Sequence, residues 1–175
     1  DSLIHDINRK FTKPTKVFSN KKEYEFSLIR ILGNDLSKRH GENQTINNLR
    51  FVLEHEQNFD GCKKTWVLNR IRNQKVCNEC KYLIKAHGHE YVEIEFNFDE
   101  YSNHEFNYSM LPVTNLELDK DFDINYSLRE KYQTRCAILH DKNNYLINNN
   151  GARNFALQFG KDQATWCLPL DGNCF

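Results

Sequence analysis

The sequence predicts an α/β fold with a largely parallel sheet and flanking helices. Three features predict it: short apolar runs of strand length, stretches of helical period between them, and turn residues at the junctions. Parallel neighbours need crossover connections, so strand, helix and strand recurring in order favour right-handed βαβ units. At 175 residues the chain has room for one domain with its own core.

Residues 1–22 are basic and weakly patterned and read as a lead-in, with the domain proper over 23–175. Tyr24–Leu32 is a nearly continuous apolar run closed by Gly33-Asn34-Asp35, the pattern of a strand buried on both faces. Gln44–Glu56 places Ile46, Leu49, Val52 and Leu53 at helical spacing, with Asn43 or Thr45 as its cap. Lys63–Ile71 reads as the second strand, ending near polar Asn69 and Arg70. Asn73–Ala86 repeats the helical period through Val76, Cys80, Leu83 and Ile84, and Gly88 supplies a left-handed residue after it. Tyr91–Phe96 is the third strand.

Residues 97–125 lose both periods and are acidic and aromatic, so they read as an irregular excursion. A helix is expected from Ser127 to about His140, and another over Gly151–Lys161 with Ala152, Phe155, Ala156 and Phe159 on one face. The fourth strand, Ala164–Leu170, runs directly into Asp171-Gly172-Asn173. Trp66 and Trp166 both lie in strands and read as core.

Lys plus Arg equals Asp plus Glu, which excludes the uniform basic field that tracks a nucleic-acid backbone or an anionic membrane. No apolar run approaches the roughly 20 residues of a membrane-spanning helix. The six cysteines are too scattered for a small disulfide scaffold and read as reduced thiols of a cytoplasmic protein. The Asn-x-Ser/Thr tripeptides at Asn43, Asn107 and Asn125 read as chance products of an asparagine-rich sequence.

The strongest chemical signal is the closing run, in which Gly151-Ala152-Arg153-Asn154 opens a helix and Asp171 follows the next strand. In open α/β sheets, ligands bind outside the carboxyl ends of the strands. A carboxylate and an amide oxygen two residues apart can reach one hard cation, which makes Asp171 and Asn173 metal candidates. Arg153 adds a permanently charged fork suited to phosphate, with Asn154 beside it. Arg30 interrupts a buried strand and needs a partner, either a carboxylate at the core edge or a ligand phosphate.

This arrangement resembles glycosyltransferases of the GT-A fold, most of all the inverting family 2, in which an Ala-Arg-Asn helix precedes a hydrophobic strand ending in Asp-x-Asp. The likeness runs from about Phe26 to Phe175, except for the excursion. It implies a Rossmann-related, GT-A-like domain that takes a nucleotide-diphosphate sugar, most simply a UDP-sugar, and passes the sugar to a hydroxyl of a glycan or glycoconjugate in polysaccharide synthesis. It implies Mg²⁺ or Mn²⁺ at Asp171 and Asn173. Asn173 stands where the family carries an acid, which weakens the cation site.

Nucleotide and diphosphate contacts are expected from Arg30, Asn34, Asp35, Asn69, Arg70, Arg153 and Asn154, although the family's second strand usually ends in acids where this chain has Asn69 and Arg70. The family's general base lies downstream of the strand-four motif, beyond Phe175. By the likeness the chain is a C-terminally truncated portion, inactive by itself.

Two other readings compete. A non-catalytic GT-A-like module of a larger carbohydrate-active protein suits Asn173 and the non-acidic end of strand two. A zinc-stabilised interaction domain would use Cys77, Cys80, His87 and His89, residue types proper to zinc but set within a helical pattern that needs the thiols as core. His140 beside Asp141 lacks a nucleophile in any recognisable elbow and reads as structural.

Overall fold

The structure is a computed structural model that describes residues 22–36, 40–109 and 127–174. The basic lead-in and much of the excursion lie outside those residues. Strands β1 (Tyr24–Leu32), β2 (Cys62–Asn69), β3 (Glu90–Ile94) and β4 (Ala164–Asp171) form one sheet in the order β3-β2-β1-β4. Every neighbouring pair is parallel. The α/β class and the parallel sheet are thus as expected, and the architecture is compatible with a Rossmann-like fold.

Helix α1 (Gln44–His55) joins β1 to β2, and α2 (Gln74–Ala86) joins β2 to β3. Their apolar stripes, Ile46, Leu49 and Val52 on α1 and Cys77, Cys80 and Ile84 on α2, pack on Leu32, Trp66 and Leu68 of one sheet face. Strand side chains alternate, so Ile29, Ile31 and Val67 point to the other face. There they meet Ala152 and Ala156 of α6 (Asn149–Lys161). Between β3 and α6 come α3 (Phe98–Asn103), α4 (Leu128–Ile138) and α5 (His140–Ile147).

The α6 stripe is built of small residues, Ala152, Ala156 and Gly160, which lets the helix sit close to the sheet. A Cβ at Gly160 would collide with Cys167 Sγ and touch Ile29. Phe155, expected on this buried face, turns partly to solvent, whereas Phe159 packs on the core. Trp66 is fully buried, but Trp166 is 62 % exposed, which corrects its reading as core. Trp166 alternates with Cys167, whose thiol faces α6, and no helix of the described residues covers β4 on the opposite face. Cys77 and Cys80 are buried, while Cys62, Cys136 and Cys167 are only half-buried.

Several boundaries shift for local reasons. Neither Asn43 nor Thr45 caps α1 with its side chain: Asn43 is left-handed at φ 54°, and Asp35 Oδ1 accepts the Thr45 amide at 2.9 Å instead. Asn73 does cap α2, and Gly88 is left-handed at φ 75° as its position requires. The excursion holds one helical turn-and-a-half, α3, capped by Asn97. The helix expected from Ser127 to about His140 is present as α4, opened by a Ser127–Glu130 capping box, and α5 is a further helix where none was expected. α6 begins at Asn149, two residues before Gly151, because left-handed Asn148 turns the chain there. No helix among the described residues is long and apolar enough to cross a membrane.

Candidate functional site

The first three strands step in one direction, and the chain then crosses to the far side of β1 to add β4. Strand order therefore reverses between β1 and β4. At such a switch point the flanking connections leave on opposite faces, and a crevice opens at the carboxyl ends. A cleft of ≈ 240 Å³ lies there, lined by the β1 end from Ile31 to Asp35, by Gln44, Thr45 and Asn48 of α1, by Asn69 and Asn149, and by Asp171–Asn173. Its lining joins side-chain amides, the Thr45 hydroxyl and the His40 ring to the apolar side chains of Ile31, Leu32 and Ile147 and the carboxylates of Asp35 and Asp171.

The floor on the β4 side is a tight turn. Gly172 N–H donates to Ile31 O at 2.7 Å, and Cys174 N–H donates to Asp171 O at 3.0 Å. A Cβ at Gly172 would lie 2.8 Å from Leu32 Cδ2 and 3.0 Å from Ile31 O, so glycine lets the turn close tightly against β1. Asp171 is half-buried at the rim, and Asn173 is exposed.

Arg153, in the second turn of α6, reaches this rim. Its Nη2 lies 2.5 Å from Asp171 Oδ2 and its Nε 3.3 Å from Oδ1, a two-pronged pair of guanidinium on carboxylate. The hydrogen bonds that Arg153 donates to Asp171, and the charge of that carboxylate, raise the guanidinium pKa above its ordinary value. The two residues singled out from the closing run are therefore in contact, each the other's counter-charge. Asn154, next along α6, is exposed and does not line the cleft.

The strand-end residues brace the rim. Asn34 donates to Arg70 O at 2.7 Å and Leu146 O at 3.2 Å, and accepts from Arg72 N at 2.8 Å, tying the ends of β1 and β2 to α5. Asn69, 2 % exposed, donates to Ile147 O and accepts from Asn148 Nδ2. Asp35 uses Oδ1 for both the amide and the hydroxyl of Thr45. Among the described residues Oδ2 has no partner, which leaves it for the cleft.

Arg70 adopts φ 48° and turns away from the cleft, its guanidinium stacked 4.0 Å over the Tyr145 ring and donating to Tyr145 O. Arg30, 5 % exposed, does not line the cleft either. Its guanidinium pairs with Glu56 and donates to Cys174 O, which selects the carboxylate alternative for its partner.

Gln44, Thr45, Asn48, Asn149 and His40 line the cleft without having been singled out. The signal for Gln44 and Asn48 was present: they are four residues apart on the helix that follows the first strand, and so share a face at its start. His40 carried no such signal.

The Cys77 and Cys80 thiols are core. Burial is the largest cause pushing both pKa values up, Cys80 to about 12, and Cys77 also donates to Glu93 Oε1 at 3.3 Å. A buried thiol held protonated is a poor zinc ligand. His87 bonds its own helix at Leu83 O. Among the described residues, no three of the types His, Cys, Asp and Glu cluster to hold a metal. Comparison of the chain with protein-family models, with curated proteins and with solved structures finds no significant match.

Proposed function

We propose that the β1–β4 cleft binds a nucleotide-diphosphate sugar, and that the domain serves transfer of that sugar to an acceptor hydroxyl. One observation carries the reading: the Arg153–Asp171 pair stands on the rim of an amide-rich crevice at the sheet's switch point. Amides and hydroxyls suit the uncharged hydroxyl and base edges of a nucleoside or sugar. The paired ions suit the charged diphosphate.

At rest the pair is neutral. A diphosphate arriving with a divalent cation can divide it, the anion going to the planar fork of Arg153 and the cation to Asp171. An ionised carboxylate offers about four lone-pair sites, so the two taken by Arg153 leave room for a metal. Asp171, with the Asn173 amide oxygen, would hold Mg²⁺ or Mn²⁺, which supplies charge neutralisation on the departing diphosphate. A single carboxylate is enough where water and ligand phosphates complete the shell.

A second reading, a non-catalytic module that keeps the nucleotide cleft, is favoured by the same pair, because Arg153 already neutralises Asp171 and Asn173 brings no charge. Calorimetric titration with UDP, with and without Mn²⁺, separates them. Binding that strengthens about tenfold or more with Mn²⁺ is the expected result. Binding indifferent to Mn²⁺ supports the module, and no binding of UDP in either condition contradicts both.

A further inference from the structure

Arg30 sits within the buried carboxyl-terminal half of β1, where a strand buried on both faces ordinarily carries only apolar residues. A lone guanidinium there is costly to bury, and the chain supplies an anion for it. Glu56, at the carboxyl end of α1, pairs with Arg30 and also with Lys64 Nζ of β2 at 2.8 Å. Lys64 in turn donates to Glu56 O and Gln57 O, closing the end of α1. Charge balance accounts for one prong of Arg30. It does not account for the other, which donates to Cys174 O.

That carbonyl belongs to the chain leaving the Asp171 turn. The turn is therefore held at three places: by Gly172 N–H on Ile31 O, by Cys174 N–H on Asp171 O, and by Arg30 on Cys174 O. The first two fix its ends. The third fixes the direction in which the chain leaves, and so the tilt of Asp171 and Asn173 relative to the cleft. We propose that Arg30 is a positioning residue, a buried fork anchored by Glu56 that clamps Cys174 O and sets the Asp171–Asn173 rim for its ligand. Its value to ligand binding rests on the nucleotide-cleft reading; the clamp itself does not.

The test uses the intact chain and Arg30→Lys. Lysine keeps the charge for Glu56, but as a point donor it cannot also hold a fixed fork on Cys174 O. Amide hydrogen exchange in the wild type is expected to show Gly172 and Cys174 protected to within about tenfold of the β1–β4 ladder. In Arg30→Lys those two amides exchange about tenfold faster or more, Val67 and Leu68 of β2 are unchanged, and UDP affinity with Mn²⁺ falls about tenfold.

Unchanged exchange at the turn overturns the clamp, and so does an equal rise across the whole sheet, which marks a general loss of stability. If Arg30→Lys does not fold, the wild type decides alone: turn amides exchanging at the rate of an open loop overturn the proposal. Should the wild type bind no UDP, the nucleotide reading fails while the exchange measurements still judge the clamp.

Discussion

Replacing Glu56 by glutamine is expected to lower the unfolding free energy by about 3–5 kcal/mol, because it leaves the buried charges of Arg30 and Lys64 without their anion. Glutamine preserves shape, so the loss reports charge rather than packing. Equilibrium urea denaturation of the two proteins at neutral pH measures it. A difference below about 1 kcal/mol would mean that the pair behaves as an exposed ion pair.

The same substitution predicts a pH signature. Burial pushes the Glu56 pKa up, but the hydrogen bonds and charges of Arg30 and Lys64 outweigh it and hold the carboxyl below its ordinary value of 4.5. Unfolding would therefore take up a proton in acid, so the contribution of Glu56 is fully present above about pH 4.5 and is lost as pH falls through the lower, folded value. The stability curves of wild type and Glu56→Gln should run parallel at neutral pH and converge in acid. Curves that stay parallel below pH 4 or so would contradict the assignment.

The second large effect is expected at Asp171. Asp171→Asn removes the only carboxylate of the rim turn and frees Arg153 from its counter-charge. UDP binding should lose its response to Mn²⁺, a change of about tenfold or more in the metal-dependent affinity, while binding without metal is kept or strengthened by the unpaired guanidinium. Because the pair is half-exposed, the fold should be little affected. Retention of full Mn²⁺ dependence in Asp171→Asn would remove this residue from the cation site.

The strands and the two crossover helices were legible because their side chains face one core, and burial imposes a period on the sequence. That Asp171 and Arg153 share a rim was legible for a related reason, a helix start and a strand end joined by a short connection, but their direct pairing was not. Arg30 was legible as a problem, a charge within an apolar run, but Glu56 lies 26 positions away and no local pattern names it.

Asn34, Asn69 and Arg70 were read as contacts for a nucleotide because they end strands on the ligand side. Asn34 and Asn69 do line the cleft, but the structure also engages all three side chains in bonds to Leu146, Ile147, Asn148 and Tyr145, residues of a segment whose packing onto the strand ends leaves no trace in the pattern of the strands themselves. Trp166 misled for the opposite reason. Its strand is largely apolar, and the sequence does not reveal which face of an edge strand goes uncovered.

The most direct test of the cleft is residue-resolved. Amide shifts of the isotope-labelled protein, followed on addition of UDP with diamagnetic Mg²⁺, should move at Gly33–Asp35, Thr45, Asn149 and Asp171–Asn173, with Arg153 moving as its carboxylate is shared. Shifts gathered instead around Phe59 and Cys62, at the amino ends of the strands, or no shifts at saturating nucleotide, would contradict the claim that this crevice is the binding site.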